Sequence, residues 1–100
     1  MSLTILYLSA TTIFPGLLDT PVATLTDAEI RSRFVTIRTH LERDVAAEVA
    51  QVFHSSGRER AMARHALRIL VPRLHEARRI DQAAFSIACA EARRAVLAAE

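Results

Sequence analysis

An all-α fold is predicted by three observations. From residue 25 onward, apolar side chains recur every three or four positions. The punctuation between those runs is brief, and Gly and Pro together supply only five of 100 residues. The spacing predicts an antiparallel three-helix bundle with helices over about 27–54, 57–79 and 82–98. Residues 1–25 form an apolar N-terminal arm and turn, and residues 26–100 form the bundle. A chain of 100 residues makes one domain. It buries roughly 60–65% of its unfolded surface, so its core is modest.

The first long helix has the clearest start. Thr26-Asp27-Ala28-Glu29 reads as a capping box: the Thr26 hydroxyl accepts from the Glu29 N–H, and the Glu29 carboxylate reaches back to the Thr26 N–H. Leu25 and Ile30 supply the accompanying staple. Ile30, Phe34, Ile37, Leu41, Val45, Val49 and Val52 then line one face, with Asp27–Arg31 and Glu29–Arg33 pairs on the wet side. Ser55-Ser56-Gly57 ends the run. At 1.5 Å per residue the helix is about 42 Å long, more than a compact globule of this size spans. Three outcomes accommodate it: an elongated bundle, a break with a restart capped by Thr39 and Glu42, or an end packed on another chain.

Ser56-Gly57-Arg58-Glu59 offers a second capping box and opens the second helix. Pro72 inside it removes one N–H and clashes at Arg68, which predicts a kink. Met62, Ala66, Ile69, Leu70, Leu74 and Ala77 are its expected inner side. Ile80-Asp81 with Phe85 reads as the cap and staple of a third helix, whose inner face would be Phe85, Ala88, Cys89, Ala92 and Val96.

The arm fits two descriptions. Leu3, Leu6, Ala10, Ile13 and Leu17 fit a helical seam, with Ser2 as cap and Pro15 as stop. Thr4, Ile5, Tyr7, Thr11, Thr12, Ile13 and Phe14 are strand formers. A strand would need a second molecule or a hairpin within the arm, because unpaired edges are liabilities. The uncharged run over residues 1–18 lacks the positive flank of a signal peptide, and Pro15-Gly16 cuts it short of a membrane span. It is expected to complete a core or an interface formed by Leu3, Ile5, Leu6, Tyr7, Leu8, Ile13 and Phe14.

The formal charge of +2 does not by itself mark a nucleic-acid binder, but its distribution is uneven. Residues 55–80 hold seven Arg against Glu59 and Glu76. Every basic residue is Arg and 18 residues are Ala, a pattern that GC-rich coding produces without any special need for guanidinium groups. On a helical projection Arg60, Arg64, Arg68, His75, Arg78 and Arg79 share a sector of roughly 100°. That stripe is either a face for an acidic partner or phosphates, or a solvated face paired with Asp44 and Glu48.

Nothing in the sequence forms a catalytic set. Glu48 falls in the apolar stripe and calls for an Arg partner from a neighbouring helix. His40, His54, His65 and His75 match no metal-ligand spacing, so neither metal nor cofactor is expected. The lone Cys89 excludes an internal disulfide and suits a reducing, cytoplasmic setting. The function these observations predict is non-enzymatic: a small adaptor, inhibitor or regulator that binds another protein, in its simplest version as a homodimer burying the arm. The alternative is a nucleic-acid-binding regulator using the Arg stripe. A membrane role is not expected.

Overall fold

The computed structural model describes residues 2–16, 18 and 20–99. Three α-helices run in the order α1 (Leu3–Ile13), α2 (Asp27–His54) and α3 (Gly57–Ala99), with a 3-10 turn at Val22–Thr24. No strand occurs among the described residues. The chain is all-helical, and contacts among the three helices make a bundle.

The arm is a helix. Ser2 accepts from the Ile5 N–H at 3.2 Å, and the last turn closes with Phe14 N–H donating to Ala10 before Pro15-Gly16. Gly16 turns the chain with φ at +84°, a backbone conformation that disfavours residues with a Cβ. Helix wins over strand because it satisfies the backbone internally while laying Leu3, Leu6, Tyr7 and Ala10 along one side. The Tyr7 hydroxyl donates to the Thr20 carbonyl at 2.9 Å and ties the return loop to α1.

The capping box of α2 forms as the sequence requires. Glu29 N–H donates to Thr26 Oγ1 and Thr26 N–H to Glu29 Oε1, both at 3.2 Å. All 28 residues of α2 remain in one helix. The length problem is therefore resolved by elongation. The molecule measures 63 × 27 × 16 Å, with a radius of gyration of 17.2 Å against about 13 Å for a compact 100-residue chain.

The expected break at residues 80–82 is corrected: α3 is one helix of 43 residues. At about 64 Å it spans the long axis of the molecule. No Gly or Pro interrupts the chain there, and Gln82, Ala83 and Ala84 are compatible with helix. Asp81 does not cap; its carboxylate accepts from Arg38 Nε of α2 at 2.7 Å. Pro72 lies within α3 and does not end it. Both Arg68, whose carbonyl loses its donor, and Pro72 are exposed, so water can serve that carbonyl. The second capping box is also absent, since no hydrogen bond joins Ser56 and Glu59 among the described residues. Gly57, with φ at +59°, reverses the chain there instead.

The expected inner faces also shift. Ala63, Leu74, Ala77, Ile80 and Ala84 are the buried residues of α3, flanked by half-buried Leu67 and Leu70. Met62, Ile69, Phe85, Cys89, Ala92 and Val96 face outward. The run 63, 67, 70, 74, 77 alternates steps of four and three, and this period keeps one seam against a neighbouring helix. Its core part, Leu74 and Ala77 with Ile80 and Ala84, meets Ile30, Phe34, Ile37 and Leu41 of α2, and Leu3, Leu6, Tyr7 and Ala10 of α1 with Phe14 and Leu18 close the core over it.

Candidate protein-binding surface

Helices α2 and α3 form a long hairpin turned by Ser55-Ser56. Arg38 pairs with Asp81 at 2.7 Å, and Glu42 with Arg78 at 3.4 Å. Moving forward on α2 moves the partner back on α3, the order an antiparallel pair gives. The short α1 covers one part of the hairpin only. Every residue of the main core comes from α1, its return loop, residues 30–41 of α2 and residues 74–84 of α3. Toward the turn, the two long helices lie together without a third.

The consequence is an apolar surface at the uncovered end. On α3, Met62, Ala66, Ile69 and Arg73 follow steps of four, three and four, so they share one face. The Arg73 guanidinium sits 5.7 Å from the centroid of the Phe14 ring of α1, which places this face in line with the one that α1 covers. Beyond Arg73 the covering stops. Met62 is 62% exposed and Ile69 52% exposed, and on α2 Phe53 is 76% exposed. Arg58, Ala61, Met62, His65, Ala66 and Ile69 outline a shallow depression there, so one guanidinium borders the apolar patch.

The Arg stripe divides. Arg60 Nε donates to the Ser55 carbonyl at 3.0 Å and finishes the α2 end. Arg78 pairs with Glu42, and Arg79 pairs with Glu76 at 2.8 Å. Arg64, Arg68 and His75 are exposed and take part in no ion pair among the described residues. The acids that meet the stripe are thus Glu42 and Glu76 in place of the expected Asp44 and Glu48. Glu48 is half-buried, and no Arg of the described residues forms an ion pair with it. Glu42 accepts from Arg38 at 3.1 Å as well as from Arg78, and the Arg38 hydrogen bond holds its carboxyl below the usual carboxylate range. The same bond, with that to Asp81, raises Arg38 further.

The arm contributes less free surface than its sequence suggests. Leu3, Leu6, Tyr7 and Phe14 are buried within the chain's own core and Ile13 is half-buried, because the hairpin supplies the apolar surface that the arm needs. Tyr7 and Phe34 pack with ring centroids 6.2 Å apart. Ile5 and Leu8 remain outside, each about half exposed. The motive for a dimer through the arm is met inside one chain.

Just past the end of α1, beside Pro15, a groove of about 560 Å³ opens between the long helices. Ile37, Leu41 and Leu70 provide its apolar lining; Arg33, Arg73, His40 and Asp44 provide charged or polar groups. The sequence gives no hint of this groove, since it depends on where the arm stops. Cys89, expected in the core, is exposed. Among the described residues no three His, Cys, Asp or Glu side chains gather in a way that could hold a metal. Nor is any helix among them long and apolar enough to cross a membrane.

No protein-family model, curated protein or solved structure matches this chain.

Proposed function

We propose that the protein is a non-enzymatic binding module that docks another protein on the uncovered end of its hairpin. The observation that carries this reading is the continuity of one α3 face, covered by α1 from Arg73 toward Ile80 and leaving Met62 and Ile69 largely exposed toward the turn. Burying large apolar side chains is favourable by about 1.5–3 kcal/mol each relative to leaving them in water. A third helix laid on this end would extend the packing that α1 begins. Arg58 borders the patch and Arg73 lies one turn past Ile69 on the same face, so the complementary partner is an amphipathic helix with acidic flanks. A duplex-binding role draws less support, because Arg60, Arg78 and Arg79 already have partners within the chain.

A photo-crosslinking residue placed at Ile69, with a control at Thr4 on the outer side of α1, tests the proposal in the native cell. A discrete protein adduct at residue 69, absent at residue 4 and lost when Met62→Glu is added, is the expected result. Equal labelling at both positions, or an adduct indifferent to Met62→Glu, overturns it.

A further inference from the structure

We propose that the groove at the end of α1 binds a small amphipathic carboxylate, a ligand distinct from the protein partner inferred above. Four observations combine. The volume of about 560 Å³ lies within the range of sites for small organic molecules. Ile37, Leu41 and Leu70 offer an apolar wall for a hydrocarbon or aromatic body. Arg33 and Arg73 against Asp44 leave a surplus of one positive charge along the lining, matching a single carboxylate. Finally, Arg33 Nε is shielded from solvent and has no hydrogen-bond partner among the described residues.

That last group distinguishes the groove from an ordinary crease. A buried guanidinium N–H normally finds an acceptor, and one without is open to gaining it from a ligand. Arg33 lies one helical turn before Ile37 on α2 and lines the groove, and a rotation of its half-buried side chain on ligand binding would present the Nε edge to it. The planar fork of donors matches the two oxygens of a carboxylate. The Arg73 guanidinium lies 5.7 Å from the centroid of the Phe14 ring, a contact that favours keeping the second cation beside the groove. The ligand's tail would lie along Ile37, Leu41 and Leu70 while its head meets Arg33 and Arg73. Pro15 bounds the groove at the α1 end, which limits the tail to a short chain or a single ring.

Octanoate and 1-octanol, which share a tail and differ in charge, are suitable probes for the full chain. Amide shifts in heteronuclear NMR spectra report the location of binding. Octanoate is expected to shift Ile37, His40, Leu41, Leu70 and Arg73 saturably, with 1-octanol bound about tenfold more weakly. Arg33→Gln should bring octanoate down to the level of the alcohol and leave the alcohol unchanged. The acid-against-alcohol comparison on the unmodified chain stands even if that variant folds poorly. Equal affinity for acid and alcohol, shifts confined to Met62 and Ile69, or no saturable shift at all would each overturn the proposal.

Discussion

Residues 30–41 of α2 and 74–84 of α3 hold the core that α1 closes, whereas of residues 45–53 and 62–70 in the same two helices only the near ends, Val45 and Leu70, pack against that core. The covered half buries Tyr7, Phe14, Ile30 and Phe34 almost completely. In the open half only Ala63 is buried, with Val45, Glu48, Val52, Ala66, Leu67 and Leu70 half-buried. Two helices present too little surface to enclose large side chains from all directions, so Met62, Ile69 and Phe53 stay in water. The same hairpin is thus closed over at one end and open at the other. A third region extends past both. If the Arg38–Asp81 and Glu42–Arg78 pairing is carried along the helices, Asp27 falls beside about residue 92. The last turns of α3 have no α2 alongside, and Val96 and Leu97 are exposed there.

The sharpest contrast between halves comes from two phenylalanines of one helix. Phe34→Ala should cost about 3–5 kcal/mol in urea unfolding, since the cavity opens against Tyr7 in the closed core. Phe53→Ala should stay within about 0.5 kcal/mol, because its ring is mostly in solvent already. Comparable losses from the two would mean that the open half is covered in solution, by a second copy or otherwise.

A smaller effect is expected at the junction. Pro72 lies near the point where α1 stops covering α3, and it leaves the Arg68 carbonyl without its helical donor. Pro72→Ala should therefore stabilise the chain by about 1–2 kcal/mol, less than the full interior penalty because proline also restricts the unfolded chain. Thermal melts would read this as a higher Tm, and a lower Tm would show that the native chain needs proline at this point of α3.

The smallest effect is a pH dependence seated in the closed half. Glu42, held low by its hydrogen bond from Arg38, and Glu29, held low first by the Thr26 backbone N–H, are both more acidic folded than unfolded. Lowered carboxylate values contribute stability that is present above the ordinary value of 4.5 and lost as pH falls through the folded value. Tm should accordingly decline below about pH 4.5, and Glu42→Gln should flatten part of that decline. An unchanged pH profile in Glu42→Gln would remove the ion pairs from the account.

Much of this fold is legible in residue types, and the exceptions have physical causes. Thr26 and Glu29 announce the start of α2 because a capping box is purely local chemistry, and Ser2 and Pro15 bracket α1 for the same reason. Gly57 marks the turn through its left-handed backbone. Ile80-Asp81 misleads, since an acid before an apolar run is a cap only where the chain leaves the helix; here Asp81 bonds across to Arg38. The phase of α3 misleads too. Met62 and Ile69 look like core because they are apolar, yet the steps of four and three through Ala63, Leu67, Leu70, Leu74 and Ala77 carry the seam. Which apolar residues stay bare depends on where an 11-residue arm ends, a tertiary property that no local pattern encodes. The groove beside Arg33 is hidden for the same reason.

Native-state hydrogen exchange on the full chain tests the division into halves most directly. Amides of residues 30–41 and 74–84 should open only with global unfolding, those of 45–53 and 62–70 at lower free energy, and those beyond residue 92 fastest of all. Uniform protection along α2 and α3 would contradict the account, because it would require the bare end of the hairpin to be as firmly held as the end beneath α1.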